Sequence, residues 1–309
     1  MRKLYNKKDD KTLSVKGLTK VFSSGIINKV STTAVKDVSF NMYPGTILSL
    51  IGESGSGKTT IGNLILKLIK PTSGEIFFKG KNITDINKKK EKKEYYSNVQ
   101  AIFQDPFASF NPLYRVDRVF DMIFSSYLDD TNKDTKIKDA LHDVNLNPER
   151  VLGKFPHQLS GGQLQRLLIA RALLLDVDIL IADELISMLD ASTRIGVLNL
   201  LVETCKKRGM SVLFITHDLN LGYYISDYTL IMYKGRLVER GITKKVYDNP
   251  INPYTQMLFN CVPDIGERWD KEEEFLPEQI SEEVNDFYEE NKGRGFEEVE
   301  EGHSVLFSV

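Results

Sequence analysis

The 309-residue chain has two cysteines, one tryptophan and no apolar run near the ~18 residues a membrane-spanning helix needs. Its longest candidate, Leu167–Leu175, carries Arg171 in the middle, so no transmembrane segment is expected. The N-terminal Met-Arg-Lys-Leu-Tyr-Asn-Lys-Lys is charged and no apolar core follows it, which argues against a secretory signal. Cys205 and Cys261 show neither metal-binding nor redox spacing and suit a reducing cytoplasm. No internal repeat is visible. Also missing is a basic stripe interleaved with aromatics or a recognition-helix signature, so no nucleic-acid partner is expected. The expectation is a soluble, cytoplasmic protein.

The hydrophobic fraction of 41% is enough for a sizeable core in one large domain or two smaller ones. A net charge of −2 conceals an asymmetry, because Asp264 to Glu301 holds 16 acidic and 4 basic residues. The rest of the chain is correspondingly basic, which phosphate ligands or a membrane-associated partner would accommodate. The run Lys88-Lys89-Lys90-Glu91-Lys92-Lys93-Glu94 reads as a solvated surface segment. The acidic end contains Trp269, Phe275, Phe287, Tyr288 and Phe296, so its composition is compatible with either a surface appendage or disorder.

One stretch fixes the chemistry. Residues 52–59 read Gly-Glu-Ser-Gly-Ser-Gly-Lys-Thr, a complete phosphate-binding loop, and the chain has only one. Gly52, Gly55 and Gly57 let the backbone turn tightly and aim the N–H groups of the loop, including those of Ser54 and Ser56, at one point. A helix expected from Thr59 to Leu68, through Thr60, directs its positive end there as well. Lys58 adds a charge for the β- and γ-phosphates, and the Thr59 hydroxyl is a Mg²⁺ ligand. The context is the required one: an apolar strand Thr46–Ile51 before the loop, and Ile61, Leu64, Ile65 and Leu68 at helical spacing after it.

Around this loop, Thr12–Val21 and Ala34–Met42 alternate as antiparallel strands joined by an excursion over Ser23–Ser31. Strands are expected at Glu75–Lys79, Val99–Phe103, Ile179–Ala182 and Ser211–Thr216, with helices at Gln163–Leu175 and Ser192–Arg208. Residues 107–160, with Pro106 just before them and Pro112, Pro148 and Pro156 within, show amphipathic patterns and read as a helical insertion. Alternating strands and helices imply an α/β core with a largely parallel sheet.

Two further motifs lie where such sheets bind ligands. Asp183-Glu184 ends a buried strand: Asp183 can hold Mg²⁺ through water opposite Thr59, while Glu184 can orient and polarise an attacking water. Leu159-Ser160-Gly161-Gly162-Gln163 opens a helix with a hydroxyl and free N–H groups, a second anion-binding design. Two phosphate-binding helix starts in a chain with one phosphate loop imply a second nucleotide contact, made in trans.

With these residues in place, the chain resembles the ATP-binding subunits of ABC transporters over nearly its whole length. The resemblance makes Gln104 the Q-loop glutamine, residues 159–163 the family signature, Asp183-Glu184 the Walker B pair, Ser187–Asp190 the D-loop and His217 the switch histidine. It implies a P-loop NTPase (RecA-like) core, an N-terminal antiparallel β subdomain, a helical subdomain and a C-terminal extension. The expected division is a tail at 1–11, an ATPase domain at 12–262 and an acidic extension at 263–309. ATP and Mg²⁺ would lie between one P-loop and the Ser160–Gln163 signature and Asp190 of a second ATPase subunit, a related paralogue rather than self. Glu184, His217, Gln104 and Lys58 would be the catalytic set, Thr59, Gln104 and Asp183 the metal set, and Phe22 the aromatic under adenine.

Phe103–Pro112 and Asn252-Pro253-Tyr254-Thr255 are similar to the oligopeptide/dipeptide importer branch, in particular to the second, F-like ATPase of its pairs. That resemblance implies two transmembrane permease subunits reached through the loop at Asp105-Pro106-Phe107, indirectly a solute-binding protein, and a place on the cytoplasmic membrane face. Oligosaccharide and nickel importers use similar ATPases and stay open as alternatives. Leu185 and Met188 depart from the usual proline and alanine, without altering a reacting group. The Cys-rich segment of some relatives is absent, so no iron–sulfur cluster is expected. A soluble repair or translation ATPase is disfavoured by the lack of sustained heptads and of a second P-loop, and a non-hydrolysing subunit by the presence of Glu184 and His217. The final Glu301–Val305 is expected to serve packing.

Overall fold

The computed structural model describes residues 11–24, 30–129, 131–260 and 277–308. Strands β1 (Leu13–Ser24), β2 (Val30–Met42), β4 (Ser73–Phe78) and β5 (Lys81–Asn82) form an antiparallel sheet in the order β2-β1-β4-β5. A second sheet combines β3 (Ile47–Ile51), β6 (Val99–Ile102), β7 (Ile179–Asp183), β8 (Ser211–Thr216), β9 (Tyr228–Tyr233), β10 (Arg236–Ile242), β11 (Phe296–Glu300) and β12 (His303–Leu306). Its order is β11-β12-β10-β9-β3-β8-β7-β6. The strands from β9 to β6 run parallel, and the three beyond β9 are antiparallel.

The parallel strands are covered on both faces, which is why they read as largely apolar runs. Alternate residues separate into two cores. Leu180, Ala182, Val212 and Phe214 pack with α6 (Gly161–Leu173) and α7 (Ala191–Arg208) on one side. Ile179, Ile181, Leu213 and Ile215 pack with α1 (Lys58–Ile65) and the antiparallel sheet on the other. Between β6 and α6 lie α3 (Arg118–Tyr127), α4 (Lys133–Asp143), α5 (Pro148–Val151) and two short 3₁₀ turns. Their buried residues, among them Phe120, Phe124, Leu141 and Val151, continue the first core.

Several boundaries differ from the sequence expectation, each for a local reason. The helix after the loop stops at Ile65, not Leu68. Lys67 adopts φ +57, its amide bonds the Leu64 carbonyl and the Leu68 amide bonds Asn63, a Schellman ending in which lysine occupies the usual glycine position. Leu68 is therefore 59% exposed and outside the core. The lysine-rich run opens a helix, α2 (Lys89–Asn98), anchored by buried Tyr95, whose hydroxyl donates to the Ile65 carbonyl at 2.7 Å. That bond satisfies one of the carbonyls left open at the end of α1. The first two strands run on to Ser24 and begin at Val30, so the excursion between them is shorter than expected.

The remaining helices, α8 (Leu219–Ile225), α9 (Thr243–Asp248), α10 (Pro253–Asn260) and α11 (Pro277–Glu290), share a third core with Ile51 of β3, Ile231 and Tyr233 of β9 and Val238 of β10. The expected division at residue 262 does not divide the sheet, because β12 pairs with β10 through Glu239↔Val305 and Gly241↔His303. Phe287 stacks on Phe307 at 5.6 Å, and Glu301–Val305 does serve packing, with His303 and Val305 fully buried. Cys261, Trp269 and Phe275 lie outside the described residues. No described helix is long and apolar enough to cross a membrane.

His303 is paired with Glu239, also fully buried, at 2.6 Å, and its other ring nitrogen lies 3.4 Å from Glu300. Burial alone would lower the imidazolium pKa, but the bond to Glu239, its charge and the weaker contribution of Glu300 outweigh this and raise it above 6.5. A raised pKa means stability that is complete below pH 6.5 and lost as pH climbs through the folded-state value. Thermal melts between pH 6 and 9 should show this decline. His303→Gln, which keeps a donor but cannot titrate, should flatten that part of the profile and cost about 1–3 kcal/mol at pH 6.

Candidate nucleotide-binding site

The phosphate loop is wedged between two strands that do not belong to it. A Cβ on Gly52 (φ +155) would lie 2.2 Å from the Met232 carbonyl oxygen, and one on Gly57 (φ +103) 2.2 Å from that of Ala34. Only glycine fits those backbone conformations at that proximity. The Gly235 amide donates to the Ser56 carbonyl at 3.0 Å and completes the clamp. Lys58, the first residue of α1, bends back over the loop. Its ammonium donates to the carbonyls of Gly52 and Glu53, both at 2.7 Å, and to the Ser56 hydroxyl at 3.3 Å. Burial lowers the Lys58 pKa, against the opposing charges of Glu184, Asp183 and Glu53.

Three parallel strands end side by side here. Ile51 is level with Thr216, and Asp183 with Ile215, so the loop, the two carboxylates and His217 emerge at one edge. Asp183 is buried and raised in pKa, first by desolvation; the Thr59 hydroxyl bond opposes the rise, and the nearby Glu184 adds to it. Its Oδ1 is fully buried and has no hydrogen-bond partner among the described residues. Glu184 takes φ +48, unusual for a side chain with a Cβ, and its amide donates to the Ile215 carbonyl at 2.9 Å. This turn sends the Glu184 carboxylate away from Asp183 and onto His217, whose Nδ1 lies 3.1 Å from Oε1. The histidine side chain is 61% exposed and the glutamate 24%, so both are open to a reactant.

Thr59, Gln104, Asp183 and Glu184 line a single cavity of about 780 Å³, together with Ser54. Such a set can hold phosphate, offer hard oxygen ligands to a divalent cation, and take a proton from water. Arg171 lines it too, donating to the Ala101 carbonyl at 3.2 Å. The sequence showed Arg171 only as a charge interrupting an apolar stretch; nothing local indicated that it faces this cavity.

The Ser160 turn forms a helix cap and lies elsewhere. Ser160 caps α6, accepting the Gln163 amide at 3.3 Å, while Gln163 Oε1 accepts the Ser160 amide at 2.9 Å. Asp190 caps α7 by accepting the Thr193 amide at 3.0 Å. A Cβ on Gly162 would lie 2.4 Å from Thr193 Cγ2, so the starts of α6 and α7 pack as one surface. Neither Ser160–Gln163 nor Asp190 lines the cavity of Thr59, Asp183 and Glu184. Phe22, near the end of β1, is 44% exposed, with Lys20 Nζ 5.0 Å from its ring centre.

Comparison with known proteins gives the family. A family model for ABC transporters matches residues 35–187, and one for the C-terminal region of oligopeptide/dipeptide transporters matches 238–297. The chain is 41% identical over 257 residues to the oligopeptide transport ATP-binding protein OppF of Bacillus subtilis (strain 168), covering 82% of this chain and 83% of that protein. It is 40% identical over 301 residues to OppF of Streptococcus mutans, covering 96% and 94%. Among solved structures, cbiO1 of Clostridium perfringens, part of the ABC transporter complex cbiONQ, superposes with a TM-score of 0.69 at 28% identity, covering 78% of this chain and 92% of that one. A dimeric ATP-binding cassette in a post-hydrolysis state bound to ADP and Pi gives 0.66 at 28% identity, covering 75% and 98%. The chain belongs to the ATP-binding subunits of the ABC transporter family, in the oligopeptide/dipeptide branch.

Proposed function

We propose that this chain is the ATPase subunit of an oligopeptide importer, working at the cytoplasmic face of the membrane with two permease subunits, a second ATPase and, indirectly, a solute-binding protein. One observation carries the reading: Lys58, Thr59, Asp183, Glu184 and His217 converge at one strand edge, while the Ser160 turn of the same chain points to a different place. A site so divided is completed by the signature of a partner ATPase.

In this reading residues 52–60 cradle the triphosphate and Lys58 neutralises its outer phosphates, releasing its bonds to the loop carbonyls. Phe22 offers an exposed ring to adenine. Mg²⁺ fits the oxygen set of Thr59, Asp183 and Gln104, and the unpartnered Asp183 Oδ1 is the atom that asks for a cation or its water. The metal, when bound, screens the phosphate charge. Glu184 accepts the proton of the attacking water, and His217 both orients that carboxylate and reaches toward the γ-phosphate. In the partner's site, Ser160, Gly161, Gly162, Gln163 and Asp190 supply the closing face. Gln104 links the cavity to Phe107, which is 48% exposed and available to a permease subunit.

Glu184→Gln should retain MgATP binding, lose turnover by ~10²-fold or more, and accumulate a closed ATP-bound dimer. It should also stop uptake of a labelled oligopeptide in cells that depend on this system. Undiminished hydrolysis would remove Glu184 from the role of base. Ser160→Arg should abolish hydrolysis at the site whose P-loop belongs to the partner; loss confined to its own P-loop, assayed by pairing it with a P-loop-deficient partner, would refute the trans arrangement.

A further inference from the structure

The C-terminal region reaches the phosphate loop through a chain of buried polar contacts. Glu239 of β10 has no solvent exposure, and its carboxylate accepts three hydrogen bonds: from the amides of Ile251 and Asn252, both at 3.0 Å, and from His303 Nε2 at 2.6 Å. Asn252, equally buried, accepts the Tyr254 amide on Oδ1 at 3.1 Å and so starts α10. Tyr254 is itself fully buried and stacks on Tyr233, with centroids 4.3 Å apart. Its hydroxyl accepts the Glu53 amide proton at 3.1 Å.

That amide belongs to the same peptide unit as the Gly52 carbonyl, which accepts from Lys58 Nζ at 2.7 Å. The Gly52–Glu53 peptide plane is thus held at one end by the Tyr254 hydroxyl and at the other by the Lys58 ammonium. Within the space left against the Met232 carbonyl, where only a glycine fits, these two bonds set which way the dipole of the plane points. When Lys58 turns to phosphate, Tyr254 is the contact that remains.

We propose that Tyr254 is a positioning residue for the phosphate loop, held in place by the Glu239–His303 pair, so that the C-terminal strand β12 sets how tightly the loop binds nucleotide. The proposal rests on the reading of residues 52–59 as the ATP phosphate site. It gives the Asn-Pro-Tyr-Thr segment and the buried histidine a role in that site, although neither faces the cavity of Thr59 and Glu184.

Tyr254→Phe keeps the ring and its stacking on Tyr233 and removes only the acceptor for the Glu53 amide. Equilibrium binding of MgATP to the full-length variant should weaken by roughly five- to tenfold. In the assembled transporter the KM for ATP should rise in step, while kcat at saturating ATP stays within about twofold of the parent. His303→Ala should weaken binding in the same direction, His303→Gln should restore it, and Tyr254→Phe/His303→Ala should bind no worse than Tyr254→Phe alone, because both act through one bond. Far-UV circular dichroism and thermal melts on each variant separate these effects from misfolding. Parental affinity in a folded Tyr254→Phe would overturn the proposal. Multiplying effects in the double variant, or parental affinity in His303→Ala, would overturn the link to β12. Lys58→Ala serves as the control: if it bound MgATP like the parent, the ATP-site reading itself would fail, independently of Tyr254.

Discussion

The register of three parallel strands is the constraint on which this site depends. Because Ile51 is level with Thr216 and Asp183 with Ile215, the residues that follow each strand leave the sheet at a common height. A slip of one position in any of the three would turn that strand's side chains to the opposite face. It would also invert which residues enter the two cores, so register and chemistry are secured by the same packing. The interdigitation of Leu180, Val212 and Phe214 on one face and Ile181, Leu213 and Ile215 on the other makes such a slip prohibitive. At about 1.5–3 kcal/mol per fully buried large apolar side chain, several such residues outweigh any local gain from shifting.

That rigidity supports local strain at the loop ends. Glu184 in the left-handed region costs about 1–2 kcal/mol relative to an ordinary backbone conformation. The cost is tolerated because the Glu184 amide is pinned to β8 and its carbonyl accepts from Ser187. Its effect is to separate two adjacent carboxylates, one buried beside Thr59 and one turned toward His217. Neighbouring residues on an extended strand would also diverge, but they would point to opposite faces of the sheet; the turn keeps both at its edge.

Motifs of this kind are legible in a sequence because glycine, lysine and acidic residues are required within a few positions of one another. The apolar strands were legible because burial on both faces leaves few polar positions in them, such as Ser49, whose hydroxyl is bonded to that of Thr229. Other features had no local signature. Lys67 ends α1 where glycine is usual, so the Leu64–Leu68 spacing looked like one more turn of helix. The lysine-rich run is helical because Tyr95, outside the run, fastens it to α1. Arg171 and Tyr254 touch the site across 70 and 201 positions of chain, distances over which composition and periodicity carry no information. The acidic C-terminal segment was ambiguous for a related reason: its strands are short, and they are stabilised by the pairing of β12 with β10 and of β11 with β12 rather than by their own pattern.

The placement of the signature turn follows from packing as well. Gly162 rests against Thr193, and Arg194 holds the carbonyls of Ser187 and Leu189, so the starts of α6 and α7 and the segment between β7 and α7 move together or not at all. Met188, 63% exposed, sits on this unit and presents a flexible apolar side chain where a smaller one is customary in the family. A partner ATPase closing over the phosphate loop would therefore meet Ser160, Met188 and Asp190 as one rigid surface. Any change in fit at Met188 would be transmitted to the Ser160 turn directly, without requiring rearrangement of Asp183 and Glu184, which belong to the separately anchored strand edge.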